Sequence, residues 1–176
     1  MIRFYDFLFS LIGLIFLFPL LILIFLIGLF DNGSSLFIQK RVGYNLKSFS
    51  LIKFRTMPVG MRSAGTHLIK NIKFSSFGYF LRRTKIDEIP QLFNVLIGDM
   101  SLVGPRPCLF NQRKLINERK KRGVFKVRPG ITGLAQISDI NMKTPTLLAK
   151  TDQKMIKKIS LYNYFYYIFK TIFKII

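Results

Sequence analysis

Asp87 and Glu88 stand side by side in a chain of 176 residues that carries only 8 Asp+Glu against 28 Lys+Arg. Adjacent carboxylates can divide the work of phosphoryl chemistry, one attacking phosphorus to become an acyl phosphate while the other holds a divalent cation. Cations gather around the pair. Arg82, Arg83 and Lys85 precede it, and Gly104-Pro105-Arg106-Pro107 follows as a stiff turn presenting a guanidinium, the group that clamps phosphate bidentately. One protein carboxylate suffices for Mg2+ when phosphates and water complete the octahedron, so the pattern suits a pyrophosphate held with Mg2+. An Asp-Glu pair alone is common and reads as a helix cap; the surrounding cations are what raise it to a candidate site.

Lys53-Phe54-Arg55-Thr56-Met57 adds two cations at the end of a strand, where they also serve as ordinary edge protection. Arg128-Pro129-Gly130-Ile131-Thr132-Gly133 is a second restrained turn with a cation, its glycines allowing backbone to approach a ligand. No Walker loop or glycine-rich dinucleotide fingerprint occurs. Half of the residues are hydrophobic and the formal net charge is +20, which excludes an ordinary neutral cytosolic enzyme. Such a charge seeks nucleic acid, an anionic lipid surface or phosphate-bearing substrates. One cysteine, Cys108, excludes an intrachain disulfide, and one histidine, His67, excludes a Cys/His zinc cage.

These residues need elements to hold them. From Phe7 to Phe30 about 24 uncharged residues make about 36 Å of helix, enough for a hydrocarbon core of about 30 Å. The run is too long for a cleaved signal peptide and no small-residue cleavage site follows. Pro19 removes a donor near its middle, so either a kinked span or a broken helix that enters and leaves by one face satisfies the pattern; a kinked span is the default from physics alone. Lys40, Arg41, Lys47, Lys53 and Arg55 place the following chain in the cytoplasm. Asn32-Gly33-Ser34, a glycosylation match on the wrong side, reads as a turn.

Alternation over Leu36–Arg41 and Phe49–Lys53 around Gly43-Tyr44-Asn45 predicts a β-hairpin. Residues 58–78 read as a loop able to order on a ligand. Residues 87–98 read as a short helix with Asp87 as N-cap, Pro90 in the first turn, an apolar face of Ile89, Leu92, Phe93, Leu96 and Ile97, and Gly98 as its stop. Its N-terminus would favour ionised Asp87 and a neighbouring phosphate. Residues 109–123 suggest a basic surface helix around Leu115 and Ile116 that stops at Gly123, and the aromatic run 159–176, with Lys170 and Lys174, suits either a membrane interface or a core helix.

Taken together, Lys53-Phe54-Arg55-Thr56-Met57, the run from Leu81 to Val95, Gly98 to Pro107 and Arg128 to Gln136 resemble the bacterial sugar transferases called monotopic phosphoglycosyl transferases, in their compact form without an extra N-terminal membrane domain. The resemblance extends from Arg3 and Asp6 to Lys170-Thr171. It implies transfer of a sugar 1-phosphate from a UDP-sugar to polyprenyl phosphate, usually undecaprenyl phosphate, releasing UMP as a bacterial glycan is started. It further implies Asp87 as the nucleophile of a covalent phosphosugar intermediate, Glu88 as the Mg2+ ligand, and Lys53, Arg82, Arg106 and Arg128 around the substrate phosphates. In the family the proline at the position of Pro19 breaks a re-entrant helix, reversing the default topology. Departures are Phe18, where a serine is frequent before that proline, Lys85, where a small polar residue is common, and Tyr164, where an aspartate tends to stand.

The expected architecture is therefore mainly α with a small β-hairpin: a re-entrant anchor over 1–32, a cytosolic catalytic domain over 33–158 and an aromatic interfacial helix over 159–176. The expected location is the cytosolic face of the bacterial inner membrane, against an anionic surface. The aromatic content and the charge leave one rival, a membrane-tethered nucleic-acid-binding or scaffold protein, but no nucleic-acid-reading motif is present and no nucleic-acid partner is expected. A homodimer is left open.

Overall fold

A computed structural model describes residues 1–59 and 75–175. It is mainly helical. α1 (Ile2–Asn32) leads into the hairpin β1 (Leu36–Val42) and β2 (Ser48–Phe54), then α2 (Ser76–Arg83), α3 (Gln91–Ile97), β3 (Ser101–Val103), α4 (Arg113–Lys121), β4 (Gly130–Thr132), α5 (Leu134–Ile137), α6 (Pro145–Lys157) and α7 (Leu161–Ile175). Most of the expected loop 58–78 lies outside the described residues, while its end belongs to α2, capped by Ser75 Oγ accepting from the Gly78 amide at 2.9 Å.

α1 is one helix with Pro19 inside it, so the expected interruption of the helix at Pro19 is not present. A proline removes a single donor, and the hydrogen bonds on either side carry the helix through. Gly33, at φ 68, ends it by donating to the Leu29 carbonyl at 3.0 Å. Along one stripe α1 packs on the rest of the protein. Arg3 donates to the carbonyls of Val95 and Leu96 at 2.5 and 3.0 Å, satisfying the C-terminal end of α3. Asp6 Oδ1 accepts from Ser101 Oγ, the Leu102 amide and Tyr164 Oη, each at 2.9 Å. Gly13 meets Leu92, Ile24 joins Phe54 and Leu81 in one buried cluster, and Gly28 lies against Ser35. Both ends of the helix are thus held by the same folded body. The opposite face is bare: Ile15, Phe16 and Phe18 are 68, 82 and 61% exposed, flanking Pro19.

The hairpin pairs Leu36 with Phe54 through to Val42 with Ser48, and its turn places Asn45 and Leu46 at positive φ. A second sheet joins β3 and β4 in parallel, Ser101 beside Gly130 and Val103 beside Thr132. Glycine makes this possible, since a Cβ on Gly130 would lie 2.0 Å from the Gly104 nitrogen. The Gly104–Pro107 and Arg128–Gly133 turns, far apart in sequence, are therefore one unit, tied by Gly104 N–H to Thr132 at 2.8 Å and Gly130 N–H to Pro105 at 3.0 Å.

α4 keeps Arg113, Lys114, Lys120 and Lys121 exposed around a buried Leu115, as expected, and departs from the expectation at one cation. Arg119 is 1% exposed and paired with Asp152 of α6, because the packing of α4 on α6 turns that side chain inward. α7 is a core helix along one face and bare along the other. Tyr164 and Tyr167 enter the core with Val103 and Met155, while Tyr162, Phe169, Ile172 and Phe173 stay exposed. Phe165 meets Tyr5 and Phe9 edge-on, so the exposed apolar faces of α1 and α7 adjoin.

Candidate active site

Asp87 is not a helix cap. Lys85 adopts a left-handed conformation, φ 60, and Ile86–Glu88 form a 3-10 turn; α3 begins only at Gln91, with Pro90 at its N-cap. The left-handed step costs a lysine about 1–2 kcal/mol and has no signature in a sequence without glycine or asparagine there. It draws Asp87 into the body, where it is 5% exposed. The buried face of α3 also differs from the expected one: Gln91, Asn94 and Val95 are buried, while Phe93 and Ile97 are exposed. Asn94 is the reason. Its carboxamide accepts from the Ile52 amide at 3.0 Å and donates to the Ser50 carbonyl at 2.8 Å, fastening α3 to β2. That attachment carries Lys53, at the end of β2, to Asp87.

The pair opens on a cavity of about 720 Å3 whose lining includes Lys53, Arg82, Asp87, Glu88 and Arg106. Four of the five side chains expected around Asp87 therefore share one space with it. Arg128 does not line it. Its Nε donates to the Gly98 carbonyl at 2.7 Å and its guanidinium covers the Tyr44 ring at 5.6 Å, so the structure does not bring it together with Lys53, Arg82 and Arg106. The restrained turn that carries Arg128 contributes Ile131 and Thr132 to the lining instead.

The adjacent carboxylates have different surroundings. Burial raises the Glu88 carboxyl, but the charge and hydrogen bonds of Arg106 outweigh it and hold Glu88 below the usual range. Arg106 reaches both Glu88 oxygens, one at 3.4 Å and the other in close contact. Asp87 has no ion-pair or hydrogen-bond partner among the described residues. Burial and the Glu88 charge push its carboxyl up, opposed by Lys53, Arg82 and Lys85. Lys53 is pushed down by burial, with Asp87 pulling the other way. One carboxylate is locked and the other keeps its lone pairs for the cavity.

Sequence reasoning missed Arg41, which lines the cavity and donates to the Pro107 carbonyl at 3.2 Å. Burial and Arg106 lower its guanidinium to about 10. Hairpin alternation was the available signal: Arg41 shares a face with Phe37, which pairs with Lys53. The far wall was missed as well. Gln136, Asn141 and Lys143 come from α5 and the loop after it, and Thr171 and Lys174 come from α7, where Lys174 pairs with Asp139 at 2.6 Å.

No cluster of three or more His, Cys, Asp or Glu side chains suited to a metal exists among the described residues. The donors do fit a cation that arrives with phosphate: Asp87 offers two uncommitted oxygens, and each Glu88 oxygen keeps a lone pair beside its bond from Arg106.

An apolar helix long enough for a membrane anchor packs on a folded body that carries a basic cavity with two carboxylates. The chain belongs to the bacterial sugar transferase family, whose model matches residues 1–176. It is 46% identical over 110 residues to the uncharacterized sugar transferase EpsL of Bacillus subtilis, covering 62% of this chain and 54% of that protein. It is 39% identical over 150 residues to the UDP-glucose:undecaprenyl-phosphate glucose-1-phosphate transferase of Xanthomonas campestris pv. campestris, covering 81% of this chain and 31% of that one. With the exopolysaccharide production protein ExoY of Rhizobium meliloti it shares 33% identity over 190 residues, covering 97% of this chain and 83% of ExoY. The chain thus spans about a third to a half of the length of the first two relatives.

Proposed function

We propose that this protein transfers a sugar 1-phosphate from a UDP-sugar to a polyprenyl phosphate such as undecaprenyl phosphate, releasing UMP, in an early step of bacterial polysaccharide synthesis. The observation that carries this reading is the uncommitted Asp87 carboxylate in a cation-lined cavity one side chain away from the apolar helix. Leu92 lines the cavity and touches Gly13 of α1. A water-soluble nucleotide sugar and an acceptor anchored in lipid can meet at such a place. The names of the relatives from Xanthomonas campestris and Erwinia amylovora, the latter a UDP-galactose-lipid carrier transferase, support the substrate classes.

In the proposed mechanism Asp87 attacks the phosphorus that bears the sugar. The bond from that phosphorus to the bridging oxygen breaks, UMP departs with the bridging oxygen, and an acyl phosphate joins Asp87 to the sugar phosphate. An oxygen of the polyprenyl phosphate then attacks the same phosphorus, expelling the Asp87 carboxylate and forming a polyprenyl diphosphate sugar. The raised pKa of Asp87 marks a more basic, better attacking carboxylate. Lys53 and Arg82 offset charge on the diphosphate, and Arg106, fixed by Glu88, presents its remaining donors to the same space. Glu88, with Asp87, would hold Mg2+, which when bound neutralises charge on the leaving phosphate.

The reading places the protein on the cytosolic face of the inner membrane. A helix whose residues 3–6 and 24–28 pack on one folded body has both ends on that body's side of a bilayer. The bare apolar faces of α1 and α7 then enter the leaflet, deepest around Phe16 and Phe18. This supports the re-entrant topology without requiring a gap in the helix at Pro19.

The decisive experiment incubates the protein and Mg2+ with a panel of UDP-sugars, first alone and then with polyprenyl phosphate. With the correct donor alone, one equivalent of UMP appears in a burst and Asp87 gains the mass of one sugar phosphate. Turnover on adding lipid without any prior burst or adduct would mean direct attack by the lipid phosphate; no UMP from any donor under either condition would end the reading. In intact cells an N-terminal tag stays unlabelled by a periplasmic reagent, and its labelling would show a span.

A further inference from the structure

Arg119 and Asp152 are each 1% exposed, facing each other from α4 and α6 among Leu115, Leu148, Ala149 and Cys108. Arg119 Nε donates to Asp152 Oδ2 at 2.9 Å, and Nη2 lies 2.8 Å from the same oxygen without making a hydrogen bond. Asp152 Oδ1 is buried without a hydrogen-bond partner. A buried ion pair with an unsatisfied oxygen is a poor source of stability, because desolvation offsets its attraction and apolar residues of similar volume often do as well or better. Stability alone therefore leaves the pair unexplained.

What an apolar pair would lack is the third arm. Arg119 Nη1 donates to the backbone carbonyl of Arg106 at 2.8 Å, and the next two carbonyls are held in the same way: Pro107 by Arg41 at 3.2 Å and Cys108 by the Val42 amide at 3.0 Å. Three successive carbonyls of one turn are fixed from behind. From its front, the Arg106 side chain grips Glu88. Asp152 in turn holds the Arg119 fork in the orientation that aims Nη1 at the turn.

We propose that Arg119 and Asp152 are positioning residues of the site: they set the backbone from which Arg106 engages Glu88 and the substrate phosphates. The catalytic part of this inference rests on the proposed transfer, whereas the geometric part does not. A pair that sets the turn acts on the site through Arg106, so its removal and the removal of Arg106 are not independent.

The test uses the full chain in lipid nanodiscs, with the double variant Arg119→Met/Asp152→Leu, which removes both charges and puts apolar side chains of similar length and branching in their place. It unfolds at or above the wild-type temperature, yet kcat/KM for UMP release falls by about 10- to 100-fold, the scale of a misplaced catalytic contact. Adding Arg106→Ala then costs less than it does in the wild type. A folded double variant with wild-type kcat/KM, or full additivity with Arg106→Ala, overturns the proposal. Should the double variant not fold, Arg119→Lys carries the same test, since an ammonium can meet Asp152 but has no planar fork to reach the Arg106 carbonyl as well. Should the wild type release no UMP from any donor, the function reading fails and unfolding decides the inference. Glu88→Gln then lowers the unfolding temperature more in the wild type than in the variant, and equal shifts overturn it.

Discussion

Asp87 and Asp152 are both buried aspartates within reach of arginines, yet they are opposites. Asp152 sits in the seam between α4 and α6 with one guanidinium locked onto a single oxygen. Asp87 sits at the cavity with cations around it, none of them within pairing distance among the described residues. The seam closes its electrostatics and gains a fixed geometry. The cavity leaves them open, and that keeps a carboxylate available to whatever enters it. The neighbouring Glu88 lies between the two cases, facing the cavity but secured by Arg106, which the seam itself supports through its backbone.

The largest effect comes from closing the open site chemically. On the proposed mechanism, Asp87→Asn removes the carboxylate that attacks phosphorus, and UMP release from the UDP-sugar falls by about three orders of magnitude or more. Stability moves the other way. Because burial raises the folded-state pKa of Asp87 above its unfolded value, its ionised form is a penalty on the fold at neutral pH, relieved as pH falls through the raised pKa. The asparagine variant therefore unfolds at an equal or higher temperature than wild type at pH 7, and its advantage vanishes in acid. Thermal scans at several pH values, paired with a UMP assay, read both; an active or strongly destabilised variant would erase the contrast with Asp152.

An intermediate effect follows at Glu88, with the opposite sign on stability. Its folded pKa is depressed, so it contributes stability that is present above the unfolded pKa and lost as pH falls through the folded one. Glu88→Gln lowers the unfolding temperature at neutral pH, reduces turnover by about 10- to 1,000-fold, and shifts the Mg2+ titration to higher concentration. An unchanged Mg2+ titration would leave Glu88 only as the partner of Arg106.

The open site was more legible in the sequence than the closed seam, for a physical reason. Asp87, Glu88 and Arg82 lie within one turn or two of each other, and Arg106 rides a proline-bounded turn, so residue type and spacing were enough to group them. Arg41 needed the hairpin register. Arg119 and Asp152 are 33 residues apart on helices whose packing no local pattern announces, and Arg119 looked like one more cation in a basic run. The placement of Asp87 as a helix cap failed because a left-handed lysine has no signature. Arg128 looked equivalent to Arg106, each a cation in a proline-glycine turn, and only the pairing of β3 with β4 decides which of the two side chains enters the cavity.

Arg128 therefore supplies the smallest effect and the sharpest check on where the site ends. Its guanidinium donates to the Gly98 carbonyl and covers Tyr44 on the far side of the turn it shares with the cavity wall. A partly exposed hydrogen bond is worth about 0.5–1.5 kcal/mol and an exposed cation–π contact about 0.5–1 kcal/mol, so Arg128→Ala should cost about 1–2 kcal/mol of stability. For a chain of this size that lowers the unfolding temperature by about 2–8 °C. The turn backbone stays fixed by its bonds to Gly104 and Pro105, and no contact with the cavity is lost, so kcat/KM should change by less than about threefold, well under one step of the tenfold that 1.4 kcal/mol represents. The same substitution at Arg106 should lower both the activity, by about tenfold or more, and the unfolding temperature, because partly buried Glu88 loses its partner. A tenfold or greater loss of kcat/KM in Arg128→Ala, with the unfolding temperature unmoved, would return Arg128 to the phosphates and extend the open site across both turns.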